Sequence, residues 1–431
     1  MRGVVGRRIV IPPELRSGWK IILAAAALMA VTSGVWYSGS VLFVPLLAEF
    51  GRDYAATSAI FSVFTLLTGV FGILTGHLMD RWSARRVILV GGILLFCGHA
   101  LSSLATARWQ LFLTHSVLTS LGVACMGWTP VSVHIARTFH ERRGLMLGVA
   151  SAGVGIGLAT FIPFTQAVID YAGWRMAFLA LGSCGTLLVL PAAWFAFRPG
   201  ETPSGPTGVN GESARAAQPH GETASDQGLG AALCSRTFWL AAATFSCLSA
   251  PVQLLMTHQV AHLVEAGQPA LFVAGLVGLV GLASTIGKVF WGWLSDRWWL
   301  ESIYTTAISI LGLGVAVLLS IGPSTARGVL YVYAILVGFG YAVSPTLSPI
   351  MSARFFSGPR FGITFGVLHM IHLSGGAAGV WAAGYVHDLA GNYRPALFGS
   401  YVSLGLAVLF VWLAAPRRLA AKSAAERMTP R

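Results

Sequence analysis

Apolar runs of twenty residues or more alternate along this chain with short polar segments, and each run is long enough to cross a bilayer. The runs lie at about 19–47, 54–78, 87–106, 109–136, 144–169, 175–197, 236–263, 270–294, 301–322, 328–353, 361–386 and 394–415. About twenty helical residues cover a hydrocarbon core about 30 Å thick, so the pattern predicts twelve membrane-spanning helices and an all-α integral membrane protein. The first run, starting near Trp19, exceeds a signal-peptide core and lacks a convincing cleavage site, so it reads as a retained span. One polar stretch is much longer than the rest. Pro199 to Gly230 is rich in Gly, Pro, Ser and Glu and reads as a linker between two six-helix halves. The expected organisation is therefore a bundle over 1–198, a linker over 199–235, a second bundle over 236–416 and a tail over 417–431.

The halves repeat one another. Gly-His-Leu-Met-Asp-Arg-Trp at Gly76 to Trp82 recurs as Gly-Trp-Leu-Ser-Asp-Arg-Trp at Gly292 to Trp298. Asp170, Gly173, Arg175 and Phe178 are echoed by Asp388, Gly391, Arg394 and Phe398, and Gly144 and Gly148 by Gly362 and Gly366. Parallel repeats of six spans with a binding site between them are a transporter architecture.

Composition narrows the class. Of 431 residues, 55% are hydrophobic and 10% charged, against about a quarter charged in soluble domains. The net charge of +13 would suit a nucleic-acid partner, but its placement argues otherwise. With both termini in the cytoplasm, 22 of the 28 Lys and Arg residues fall on that side and five on the other, the asymmetry that orients membrane proteins. The expectation is a multi-pass protein of a cell inner membrane, a monomer, with lipid and a small solute as its partners and no nucleic acid. The five cysteines have no metal-ligand spacing. A nucleotide-binding Gly-x-x-x-x-Gly-Lys-Ser/Thr loop is absent, which argues against ATP drive. The linker is too short and polar for a catalytic domain. No enzyme activity, cofactor or metal is expected.

The remaining charge is Lys288, eight residues before Asp296 within an apolar run. That places it about 12 Å from the aqueous end, beyond the roughly 6 Å that a lysine side chain can snorkel. A cation at that depth costs about 2.5–3.5 kcal/mol on insertion scales and marks a functional site. All fifteen acids fall in loops or at span ends, so the expected counter-ion is an anionic solute.

Gly76, Leu78, Asp80, Arg81, Arg85 and Arg86 resemble the loop signature of the major facilitator superfamily, with Ala84 at or near its second glycine. The resemblance covers the whole chain and implies two pseudo-symmetric six-helix bundles. Within the superfamily the chain is similar to bacterial members of the monocarboxylate-transporter and oxalate/formate-antiporter group. Tyr37, Pro45, Leu46, Glu49, Phe50 and Gly51 carry that likeness, with Arg142-Arg143-Gly144, Gly148, Gly153 and Gly157, then Asp170, Gly173, Trp174 and Arg175. Gly287-Lys288-Val289-Phe290-Trp291-Gly292 matches the segment where that group usually has a carboxylate-binding arginine. Proton-coupled members carry an aspartate four residues earlier, where this chain has Ser284, and many have a first-span lysine that this chain lacks after Lys20.

The resemblance implies a secondary transporter of small mono- or dicarboxylates working by alternating access. Lys288 is the expected anion ligand. His369 and His372, three residues apart on one helix face, are expected to line the cavity opposite it; the alternative is a packed, neutral pair. Tyr37 and Tyr341 are expected wall residues, with Trp128, Phe161, Phe164, Gln166 and Ser344 as weaker ones. His258 and His262 read as gate residues or hydrated side chains. Asp80, Arg81, Arg85, Arg86, Asp296 and Arg297 are expected to lock the cytoplasmic side. Trp19, Trp109, Trp174 and Trp299 read as interface anchors. Two other readings stay open: an efflux carrier for apolar compounds, and a non-transporting receptor or scaffold.

Overall fold

The computed structural model describes residues 13–51, 53–138, 143–197, 232–295, 297–356 and 361–414, and all regular structure among them is helical. Spans one to three are Pro13–Glu49, Tyr54–Arg81 and Ala84–Ser103. Span four starts at Arg108, passes through a π-helical segment, Phe112–Thr119, and continues through Ser120–Met126 and Trp128–Thr138. Spans seven to nine are Arg236–Glu265, Ala270–Ser295 and Leu300–Leu319. Span ten is Arg327–Tyr341 followed by Val343–Phe355, and spans eleven and twelve are Phe361–Ala390 and Arg394–Ala414.

Eleven of the described helices are long and apolar enough to cross a membrane. The longest, Arg143–Ala196, has 54 residues, about 80 Å if straight, far more than one crossing needs. It is two spans. Gly173, at φ 81° and ψ 171°, interrupts it with a conformation that glycine adopts without a Cβ clash. Spans five and six follow from that break, and twelve crossings result. Side-chain caps start several helices: the Asp53 carboxylate accepts from the Ala56 N–H at 2.8 Å, and the Ser235 hydroxyl accepts from the Phe238 N–H at 3.2 Å. The linker from 199 to 231 and the tail lie outside the described residues.

Lipid is as apolar as leucine, so helices associate through close backbone contact and hydrogen bonds. Gly153 and Gly157 of span five lie against the backbone of Ala26 and Ala30 on span one, and Gly375 and Gly379 of span eleven lie against that of Ser246 and Ala250 on span seven. A Cβ at any of the four would overlap its neighbour. The sequence repeat is thus a repeat of packing: five lies on one as eleven lies on seven. Between the halves, span five packs on span eight and span two on span eleven. Leu187, Val289 and Val402 are exposed, as a lipid-facing surface requires. Trp19, Trp109 and Trp299 are exposed at span ends, but Trp174 is not the anchor expected. It is buried against Phe50 and Phe178, with the Arg175 guanidinium 4.2 Å from its ring centroid.

Candidate functional site

Span eight presents Ser284 and Lys288 one turn apart on the same face. Between them and span ten, Gly287 has no side chain, and a Cβ there would lie 2.8 Å from Ala342 Cβ and 3.0 Å from the Phe339 carbonyl oxygen. The Trp291 indole N–H donates to that same carbonyl at 2.8 Å. This close approach brings Tyr341 to Lys288, whose ammonium lies 5.9 Å from the Tyr341 ring centroid. The Tyr341 hydroxyl lies beside those of Ser284 and of Tyr37, which comes from span one in the other half. Span one is pinned there because the Ser38 and Thr165 hydroxyls meet at 3.1 Å.

The structure therefore places Tyr341 beside Lys288, and Tyr37 and Ser284 beside Tyr341. Lys288 and Tyr37 are each half-buried. No carboxylate among the described residues pairs with Lys288. Ser284 donates its own proton to the Gly281 carbonyl at 2.8 Å, so it supplies no compensating charge. The site is a cation beside the Tyr341 ring, whose hydroxyl meets those of Tyr37 and Ser284.

His369 and His372 lie elsewhere, on span eleven. Their rings stack on each other at 5.8 Å and 15°, and Phe365 stacks on His369. The His372 Nδ1 donates to the Phe245 carbonyl of span seven at 3.0 Å. His369 is exposed though deep in the protein. Span eleven packs on spans two and seven, whereas span eight packs on five and ten, so the pair sits at a different helix interface from Lys288. Among the weaker wall residues, Gln166 donates to Asp170 at 2.7 Å, Phe161 and Ser344 are buried, and Phe164 and Trp128 are partly open. His258 is no free gate: Nε2 faces the Val380 carbonyl at 2.9 Å and Nδ1 the Tyr393 hydroxyl at 3.1 Å.

The model of the family described as Major Facilitator Superfamily matches residues 22–343 and 276–431. This chain belongs to the Major Facilitator Superfamily. Monocarboxylate transporter 12-B of Danio rerio is 26% identical over 416 residues, covering 92% of this chain and 86% of its own. Monocarboxylate transporter 13 of Rattus norvegicus is 28% identical over 402 residues, covering 92% and 89%. Monocarboxylate transporter 3 of the same species is 28% identical over 408 residues, covering 94% and 81%. The chain is a multi-pass membrane transporter and not an enzyme.

In this superfamily member the side-chain hydrogen bonds between the halves gather toward one end among the described residues. At the joined end the Asp388 carboxylate of span eleven accepts from the Tyr54 and Ala55 N–H groups that open span two, at 2.9 and 2.7 Å. The helix dipole favours an anion there. Further in, the Ser62 hydroxyl donates to the Ala377 carbonyl at 2.6 Å, and Leu373 lies against Gly69. Toward the other end such contacts stop among the described residues. Gly148 and Gly366 have nothing within 4 Å, and Gly76 and Gly292 meet only threonines of their own halves. Arg85 stacks on Trp194 of its own half, 3.5 Å from the ring centroid, and Arg297 on Trp293, 4.2 Å away. Arg81 and Arg86 are exposed. Asp296 and the side chain of Asp80 lie outside the described residues. The sequence did not single out Glu265 or His387 at the joined end, although the echo of Asp170 in Asp388 pointed to that end.

Proposed function

We propose that this chain is a secondary transporter of small monocarboxylates, and that Lys288 binds the carboxylate in a cavity between the two bundles. The observation that carries this reading is a lysine within an apolar span, with no carboxylate partner among the described residues, beside the ring of Tyr341, whose hydroxyl meets that of Tyr37. An ammonium taken from water needs an anion to offset its desolvation, and a carboxylate accepts from an ammonium and two phenols at once. The relatives named monocarboxylate transporters support the substrate class. The charge asymmetry supports placing both termini in the cytoplasm, which makes the joined end the outer one and this state inward-facing. Transport then proceeds by rocking of residues 1–198 against 236–416. Asp80, Arg81, Arg85, Arg86, Asp296 and Arg297 close the inner end in the opposite state.

The test is a thermal-shift screen of purified protein against a panel of mono- and dicarboxylates, repeated on Lys288→Gln, because a ligand that binds the native state raises Tm by mass action. A monocarboxylate should stabilise the native chain and leave Lys288→Gln unmoved. Equal stabilisation of both proteins removes Lys288 from the site.

A further inference from the structure

Ser284 leaves this transporter without an acid beside Lys288, and the joined outer end holds the titratable groups that the carboxylate site lacks. Span seven contributes His258, His262 and Glu265; span eleven His387 and Asp388; the start of span twelve Tyr393 and Arg394. From the first half come Asp53 and Tyr54 at the start of span two and Arg108 at the start of span four. Most are already engaged. Asp388 takes two backbone N–H groups of span two, Asp53 takes Ala56 and Arg108, and His258 is bonded through both nitrogens. His262 is bonded to the Leu318 backbone, and Arg394 lies near it. Burial and the nearby Glu265 push the Tyr393 phenol well above its usual range, so it stays protonated.

His387 differs. Its side chain is 8% exposed, its Nε2 lies 3.3 Å from Glu265 Oε2, and its ring stacks on Tyr54 at 3.6 Å and 19°. The other oxygen of Glu265 accepts from the Tyr54 hydroxyl at 2.7 Å. His387 and Glu265 belong to the second half, Tyr54 to the first.

We propose that His387 and Glu265 form the proton-binding site of this transporter, and that the bound proton favours the state in which the outer end is closed. The proton sits on the imidazole, whose Nε2–H then donates to the Glu265 carboxylate as a charge-assisted bond. The imidazolium also faces the π-cloud of Tyr54, which attracts a cation. Opening the outer end carries Tyr54 away with the first half. Its ring no longer covers the imidazolium and its hydroxyl no longer organises Glu265, so the open state holds the proton less tightly. By linkage, a proton bound more tightly by the closed state shifts the population toward closure. Acid therefore closes the outer end, and alkali releases it. The inference rests on the two-state reading above, but its test needs no substrate.

The full chain is placed in lipid nanodiscs without substrate, its five native cysteines replaced by alanine. Spin labels go on Tyr171→Cys and Ser324→Cys, exposed positions at the outer end of each half. Interspin distances are measured by double electron–electron resonance between about pH 5 and pH 8.5, the range in which histidine titrates. The ratio of closed to open distances should rise about tenfold toward acid, a coupling of the size common between linked sites. His387→Asn and Glu265→Gln should flatten that response. His387→Arg, a permanent cation able to pair with Glu265, should hold the short distance throughout. A native-like response in His387→Asn or Glu265→Gln overturns the proposal. So does a flat response in the native chain, or one abolished only by His258→Gln or His262→Gln. Carboxylate binding without a pH response defeats this proton site alone. A pH response without carboxylate binding defeats the substrate assignment alone.

Discussion

Lys288 has a neighbour whose identity decides what the lysine can do. With serine at 284 the ammonium has no acid one turn away on its own helix, which is the ground for proposing a solute as its counter-ion. Losing a charge-assisted hydrogen bond costs about 1.5–3 kcal/mol, so Lys288→Gln should weaken monocarboxylate binding by about 10- to 150-fold in calorimetry. Lys288→Arg should keep part of the affinity, because the charge persists while the shape of its donors changes. Ser284→Asp should compete with the solute for Lys288. Binding by that variant should fall about tenfold at neutral pH and recover at acid pH, where the new carboxyl takes a proton and frees the ammonium. Calorimetry at two pH values checks the sign; affinity unchanged at neutral pH would mean that Ser284 does not face the lysine. Lys288 was legible in the sequence because one charge interrupts an apolar run. Its pairing with Tyr341 was not, because that contact depends on how closely span ten approaches across Gly287.

Helices in this chain are specified by length and apolar content, and their contacts by glycine. The apolar runs separated spans five and six at about residues 169–175, and the structure breaks the long helix there, at Gly173. The π-helical segment of span four and the break of span ten at Ala342 left no trace in the apolar pattern, since neither changes which residues are apolar. The four packing glycines give a test at this scale. A leucine at Gly157 or Gly379 must push apart backbones already in contact, and overpacking of this kind costs about 1–3 kcal/mol or more. Gly157→Leu and Gly379→Leu should lower Tm by several degrees in a thermal melt. Gly148→Leu and Gly366→Leu, with nothing within 4 Å in this state, should leave it nearly unchanged.

For the molecule as a whole, the two-fold repeat was readable from recurring residues, but the state of the cavity was not. Sequence repeats report what the halves share, whereas an inward- or outward-facing state depends on which cross-half contacts are formed. The contacts formed here, Asp388 to span two, Glu265 to Tyr54 and Ser62 to Ala377, all lie from one end to the middle. If transport requires them to part, a covalent tie across the same interface should stop it. Gly69 and Leu373 face each other across the halves, a Cβ at 69 lying 3.4 Å from the Leu373 Cβ with only that side chain nearby, and a disulfide needs Cβ atoms about 3.5–4.5 Å apart. The double variant Gly69→Cys, Leu373→Cys should form that bond on mild oxidation. Oxidised protein in liposomes should then lose monocarboxylate exchange almost completely and regain it on reduction, while still binding carboxylate from the inner side. A tied protein that transports at the native rate would show that the outer end does not open during the cycle. The two halves would then have to pass the solute by some motion other than rocking about the central site.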